Sequence, residues 1–289
     1  MRRVLYGVAI LTAMFALDAA QGNAFVPRAQ HTLTGDFRTH AQFHSKFLPT
    51  DRDVLVYLPP GYGRATRRRY PVLYLHDGQN LFDGATSFIP GQEWRVDETA
   101  QSLIESHAIE PVIIVGIYNT GKERVEEYTP SADPKYKVGG KAELYGRLLV
   151  EELKPFIDSR YRTKTDAKNT GLGGSSLGGL VTMYLGLRYP NVFGKLAVVS
   201  PSVWWDNRRI LGDVASFGSN RHARIWLDMG TDEGANAAAD ARSLRDALVS
   251  KGWHLDSDLK YFEAQGAQHS EIAWAQRVDP MLRFLFPKK

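Results

Sequence analysis

Ser176 stands in the setting a nucleophilic hydroxyl requires. In the run Gly171-Leu-Gly-Gly-Ser-Ser-Leu-Gly-Gly-Leu180, the frame Gly174-Ser175-Ser176-Leu177-Gly178 places a glycine two residues to either side of it. That G-x-S-x-G spacing suits a sharp strand-to-helix turn, which thrusts one hydroxyl out of a sheet. Side chains at the flanking positions would collide with the neighbouring strand and helix. Ser175 does not meet the pattern, because Leu177 stands two residues after it. A serine hydroxyl is a weak nucleophile until a base takes its proton. The base in turn needs a carboxylate to hold its tautomer and orientation.

Around such a turn the chain order is nucleophile, acid, histidine. Of the eight histidines, only His254 and His269 follow every candidate acid. His254 lies between Trp253 and Leu255 on the approach to a strand, which suits packing or surface. His269 lies in Gly266-Ala-Gln-His-Ser270, a loop between the last strand and the last helix, and is the expected base. The acid is expected in the loop Gly230-Thr-Asp-Glu-Gly234, where Asp232 and Glu233 compete, with Asp228 a third candidate inside the preceding strand. Spacing does not separate the first two. An oxyanion formed at Ser176 needs two backbone donors. One is the N–H of Leu177. The other is expected from Leu75-His-Asp-Gly-Gln-Asn80, where Gly78 lets the chain turn inward and Gln79 offers its N–H. His76 adjoins this loop ahead of the serine, and structural support is its expected role.

The elements that must position these groups alternate along the chain. Asp53–Leu58, Val72–Leu75 and Val112–Ile117 read as strands, the last two apolar almost throughout, as in strands buried on both faces. Val96–His107 and Ala142–Ile157 have helical spacing. Thr170–Gly174 reads as a strand, Leu177–Leu187 as a helix, and Leu196–Val199 and Ile225–Met229 as strands. Ala235–Lys251 is helical with Gly252 as its stop. Leu255–Phe262 and Glu271–Phe286 read as a closing strand and helix. Residues around Asp36–Phe47 are expected to add antiparallel strands at one edge. This alternation predicts an α/β domain: a mostly parallel central sheet with helices on both faces.

The 289 residues are 43% hydrophobic, enough for a large core. Met1-Arg2-Arg3 and the apolar run Val4–Leu17 read as an export signal cleaved near Gly22-Asn23-Ala24. This assigns residues 1–24 to a signal peptide and 25–289 to one domain in the periplasm or outside the cell. The run is too short for a stable membrane anchor. There is no cysteine, which excludes a thiol nucleophile and thiolate metal sites. The net charge of +4 comes from scattered Lys and Arg, with clusters at Arg67-Arg68-Arg69 and Lys288-Lys289. Neither cluster interleaves with aromatic residues, so nucleic acid is not an expected partner.

Several motifs taken together resemble the esterase D-like branch of the α/β-hydrolases, whose members include enterochelin, feruloyl and acetylxylan esterases and mycolyltransferase antigens. They are Tyr74-Leu-His-Asp-Gly-Gln-Asn-Leu-Phe-Asp83, Trp94-Arg-Val-Asp97, Glu127-Tyr-Thr-Pro130, Gly173-Gly-Ser-Ser-Leu-Gly-Gly179, Ser200-Pro-Ser-Val-Trp-Trp205 and Gly266-x-x-His269-x-Glu271. The resemblance implies an α/β-hydrolase fold and a serine acyl-enzyme that uses neither metal nor cofactor. It places the acid at Glu233 and agrees with Gln79 as an oxyanion donor. Trp204 and Trp205 would line the cleft and could stack on a sugar or aromatic ring, with core packing as the alternative. The substrate implied is a small-molecule or carbohydrate-linked ester, acetyl or feruloyl. A siderophore trilactone, acyl transfer of the mycolyltransferase kind, and a non-catalytic binding module are the alternatives. Oligomeric state is left open.

Overall fold

The structure is a computed structural model that describes residues 30–218 and 223–288. The export-signal assignment lies outside these residues. The eight main strands are β1 (Asp36–Phe43), β2 (Arg52–Leu58), β3 (Val72–His76), β4 (Ile113–Ile117), β5 (Thr170–Ser175), β6 (Lys195–Val199), β7 (Arg224–Gly230) and β8 (Leu259–Ala264). They form one sheet in the order β1-β2-β4-β3-β5-β6-β7-β8. β2 runs antiparallel to both of its neighbours, and every other pairing is parallel.

Strand periodicity divides the apolar side chains between two cores. In β2, Val54, Val56 and Leu58 face one core while Leu55 and Tyr57 face the other. Val72 and Tyr74 of β3 separate in the same way from Leu73 and Leu75. The near-continuous apolar runs therefore follow from burial on both faces, each large side chain contributing about 1.5–3 kcal/mol. One face is covered by α1 (Val96–Glu105), and we number the later helices from it. On the opposite face, α2 (Ala142–Arg147) continues through a π-helical segment (Leu148–Leu153) into α3 (Lys154–Arg160). There it is joined by α4 (Leu177–Arg188), α5 (Trp205–Ala215) and α6 (Ala237–Ser250). α7 (Glu271–Leu285) returns to pack beside α1, with Val278, Met281 and Leu282 in the core that holds Leu103 and Ile104.

The expected strands and helices are present, with three differences. β8 begins at Leu259 rather than Leu255, because the His254 carbonyl accepts the N–H groups of Ser257, Asp258 and Leu259 and closes a turn there. Helix α5 was not expected, nor was the short hairpin of Ala132–Asp133 with Val138–Gly139 in the segment before α2. Among the described residues no helix is long and apolar enough to cross a membrane.

Candidate active site

The parallel strands β3, β5, β6, β7 and β8 all finish at one edge of the sheet, and each delivers one part of the site. Ser176 follows β5 with φ 60° and ψ −121°, and α4 starts at the next residue. This is backbone that few non-glycine residues adopt, and such strain clusters at functional sites. The glycines matter unequally. A Cβ on Gly174 would lie 3.0 Å from the His76 side chain, and one on Gly179 would lie 2.7 Å from the Val199 carbonyl oxygen. At Gly178 the nearest atom would be 3.4 Å away, an ordinary contact. The tight position on the helical side is therefore Gly179, one residue beyond the motif.

His269 and Glu233 are brought together from the loops after β8 and β7. His269 Nδ1 lies 2.7 Å from Glu233 Oε2. The imidazole keeps 31% of its surface exposed, whereas the Glu233 side chain keeps only 1%. Burial opposes the charge on Glu233, but the hydrogen bond and charge of His269, with Ser200 and Arg277, hold its carboxyl below the usual range. Asp232 is exposed. Asp228 is buried and committed elsewhere, with Arg277 Nη1 donating to it at 2.8 Å and Trp226 Nε1 at 2.6 Å. Geometry thus separates Glu233 from Asp232, which spacing left together, and from Asp228 inside the strand. No hydrogen bond joins Ser176 Oγ to His269 among the described residues, and the hydroxyl lies 3.3 Å from Ser202 Oγ instead. In unliganded sites such bonds are often long and tighten only when substrate arrives.

The loop after β3 lies against the elbow. Asp77 has φ 58°, and the 3₁₀ turn Gly78–Asn80 follows it. Gly78 passes so close to β4 that a Cβ would meet the Gly116 carbonyl carbon at 2.7 Å. The N–H groups of Gln79 and Leu177 sit in the first turn of their helices, where backbone donors have no intrahelical acceptor. The Asp77 carboxylate anchors this loop. It accepts Arg124 Nε and Nη2 at 2.7 Å each and Asn119 Nδ2 at 2.7 Å. Burial works against its charge, yet Arg124 and Asn119 together hold the carboxyl below the usual range. His76 is 1% exposed, with Nδ1 2.9 Å from the Tyr145 hydroxyl, and burial drives its pKa down to about 3. It stays neutral and supports the loop, as the chain order suggested.

Four residues of this edge received no role from the sequence: Ser200 and Ser202, which stand in a quoted motif, and Trp274 and Arg277. Ser200 Oγ donates to Glu233 Oε1 at 2.6 Å and accepts from Trp274 Nε1 at 3.0 Å and Arg277 Nη1 at 3.2 Å. Trp274 also packs edge-on against the His269 ring, 4.9 Å between centroids. Ser202 meets Ser176. The signal available for Arg277 was a cation among the core-facing positions Trp274, Val278 and Met281 of an amphipathic helix. The two tryptophans expected at the cleft divide. Trp204 is 43% exposed, but Trp205 is 2% exposed with its indole N–H bonded to the Ser131 carbonyl at 2.9 Å. The expectation for Trp205 is corrected: it packs in the core, because its polar edge has a backbone partner there.

A strained serine after a glycine-rich strand and an imidazole on a buried carboxylate thus stand on one edge of an α/β-hydrolase sheet. The chain belongs to the Putative esterase family, whose model matches residues 45–285, and it is an esterase. It is 29% identical over 252 residues to the uncharacterized protein YjcH of Bacillus subtilis, covering 84% of this chain and 94% of that one. It is 28% identical over 240 residues to an endo-1,4-beta-xylanase/feruloyl esterase of Xylanibacter ruminicola, covering 80% of this chain and 29% of that protein. The enterobactin esterase of Shigella flexneri shares the fold, with a TM-score of 0.67 at 20% identity over 89% of this chain and 61% of that one.

Proposed function

We propose that the chain is an exported serine esterase that works through an acyl-enzyme on carbohydrate-linked acetyl or feruloyl esters. The observation that carries the reading is the 2.7 Å pairing of His269 with buried Glu233 on the edge where Ser176 emerges. Ser176 Oγ turns from Ser202 and attacks the ester carbonyl carbon, and its proton passes to His269 Nε2. The negative oxygen of the tetrahedral intermediate is held by the N–H groups of Gln79 and Leu177. As the bond to the alcohol oxygen breaks, His269 returns the proton to that oxygen. Water then attacks the acyl carbon, gives a proton to His269, and the acid departs as Ser176 regains its hydrogen. Glu233 keeps the imidazole oriented and stabilises its transient charge.

The carbohydrate reading is supported by the extent of similarity to the xylanase/feruloyl esterase and by the exposed Trp204 beside Ser202. Likeness of fold to the enterobactin esterase supports a siderophore trilactone as the second reading. Export is supported by the charge-then-apolar order of Met1–Leu17. A panel of acetylated xylan, methyl ferulate and ferric enterobactin tests substrate class, run on wild type and Ser176→Ala together. Turnover of the first two, abolished in the variant, is the expected result. Full activity in Ser176→Ala would sink the mechanism, and turnover of the trilactone alone would replace the substrate reading.

A further inference from the structure

Beyond β6 the chain runs Ser200-Pro-Ser-Val-Trp-Trp205 and then adopts a costly shape. Asp206, Asn207 and Arg208 are all left-handed, with φ of 45°, 53° and 63°. Asp and Asn visit this region singly, but three consecutive non-glycine residues there are rare, and Arg has no local device to ease it. Such backbone persists where its surroundings over-determine it. Here the surroundings are a clamp. Trp205 Nε1 donates to the Ser131 carbonyl at 2.9 Å, the Asp206 N–H donates to Asp133 Oδ2 at 2.9 Å, and Ser131 Oγ donates to the Asp206 carboxylate. Arg208 closes the far side on Asp240 at 2.7 Å.

The clamp joins the two banks of a cleft of about 330 Å³, with Asp133, Lys135 and Tyr136 on one bank and Trp204 and Asn207 on the other. Asp133 Oδ1 accepts the N–H groups of Lys135 and Tyr136, so one carboxylate shapes the first bank and ties it to the second. Tyr136 stacks on buried Trp205 at 6.1 Å and presents itself edge-on to Trp204 at 6.1 Å. Trp204 is two residues past Ser202, whose hydroxyl faces Ser176.

We propose that the clamp is a specificity device, in which Ser131, Asp133 and Asp206 position Trp204 and Tyr136 as walls of a subsite for one six-membered ring of the ester. The inference rests on the esterase reading of Ser176. The volume is at the low end for ligand pockets and suits one ring rather than a chain. Aromatic walls favour the flat face of a ring, and Lys135 and Asn207 offer donors to oxygen substituents on it. Such a ring has two sources: the acyl group, as in a hydroxycinnamate, or the alcohol, as in an acetylated pyranose. Ser131 and Asp206 act through Trp204 and are positioning residues.

The test uses the full chain with three esters: methyl ferulate, an acetylated methyl xyloside, and ring-free ethyl acetate. Rates are normalised to the Ser176 that a fluorophosphonate labels, so that unfolded enzyme is not counted. For Ser131→Ala and Asp206→Ala, the ratio of kcat/KM for a ring ester to that for ethyl acetate falls about tenfold, through KM. Trp204→Ala, which removes an exposed side chain but none of the clamp's hydrogen bonds, gives the same loss. A fall on one ring ester alone supports the subsite and names the ring's source. An unchanged ratio in Trp204→Ala overturns the subsite, and an unchanged ratio in both clamp variants overturns the positioning role. Wild-type enzyme whose Ser176 takes no fluorophosphonate label would overturn the serine-esterase reading, and this inference with it; labelled enzyme that cleaves neither ring ester would overturn the inference alone.

Discussion

Glu233 grips His269 with one carboxylate oxygen, at 2.7 Å from Nδ1, and is itself gripped by the other. Oε1 accepts Ser200 Oγ at 2.6 Å, the Gly230 N–H at 2.8 Å and Arg277 Nη2 at 3.2 Å. A carboxylate with its free oxygen so occupied cannot rotate away from the imidazole. Glu233→Gln should lower kcat by about 10²- to 10⁴-fold, because an amide can present the wrong partner to the imidazole. Asp232→Asn, an exposed neighbour, should stay within about twofold. Steady-state kinetics on 4-nitrophenyl acetate decides, and equal losses in the two variants would reopen the choice of acid.

The loop carrying Gln79 depends on Asp77, whose carboxylate meets the Arg124 fork and the Asn119 amide. Asp77→Asn keeps a residue that tolerates φ near +58° but removes the charge that Arg124 was paired with. The expected outcome is a fall in kcat of about 10- to 100-fold with KM little changed, since a misplaced oxyanion donor costs only the transition state. A change confined to KM would count against the placement of the oxyanion cradle.

Behind this loop, Arg52 and Glu127 form a forked ion pair at 2.9 and 3.0 Å, with side chains 0% and 1% exposed. Glu127→Ala strands a buried guanidinium and should cost about 3–5 kcal/mol. Replacing both partners by apolar residues should recover much of that loss. Urea unfolding of the single and double variants measures it, and a single variant as stable as wild type would refute the account.

His76 supplies a pH dependence. Burial lowers its pKa to about 3, while in the unfolded chain it titrates near about 6.5. Below pH ~6.5 only the unfolded state takes up the proton, so stability should fall as pH drops from there towards about 3 and then level off. The full loss is on the order of 5 kcal/mol. In His76→Asn this component vanishes, so urea midpoints of variant and wild type should converge between pH 7 and pH 4. Curves that stay parallel over that range would show that His76 is not the group responsible.

Much of this molecule was legible before folding. Strand and helix positions followed from apolar runs and periodicity, and the turn at Ser176 and the loop bearing His269 followed from local turn chemistry and chain order. Limits appeared where long-range packing intervened. The turn closed by His254 delayed β8, and Trp205 found a partner 74 residues away in the chain.

The sequence by itself determined the α/β order, the sharp turn that presents Ser176 and the loop that carries His269, because these depend on residue type, spacing and order along the chain. Spacing left Asp232 and Glu233 together and the motif resemblance favoured Glu233; the tertiary structure shows that Glu233 meets the imidazole, and it alone decided which tryptophan is exposed and what holds Asp77, Ser200 and the left-handed turn at Asp206. Those are contacts between loops brought together by neighbouring strand ends. Sequence separation carries no record of such distances, and burial decides which polar groups must find partners there.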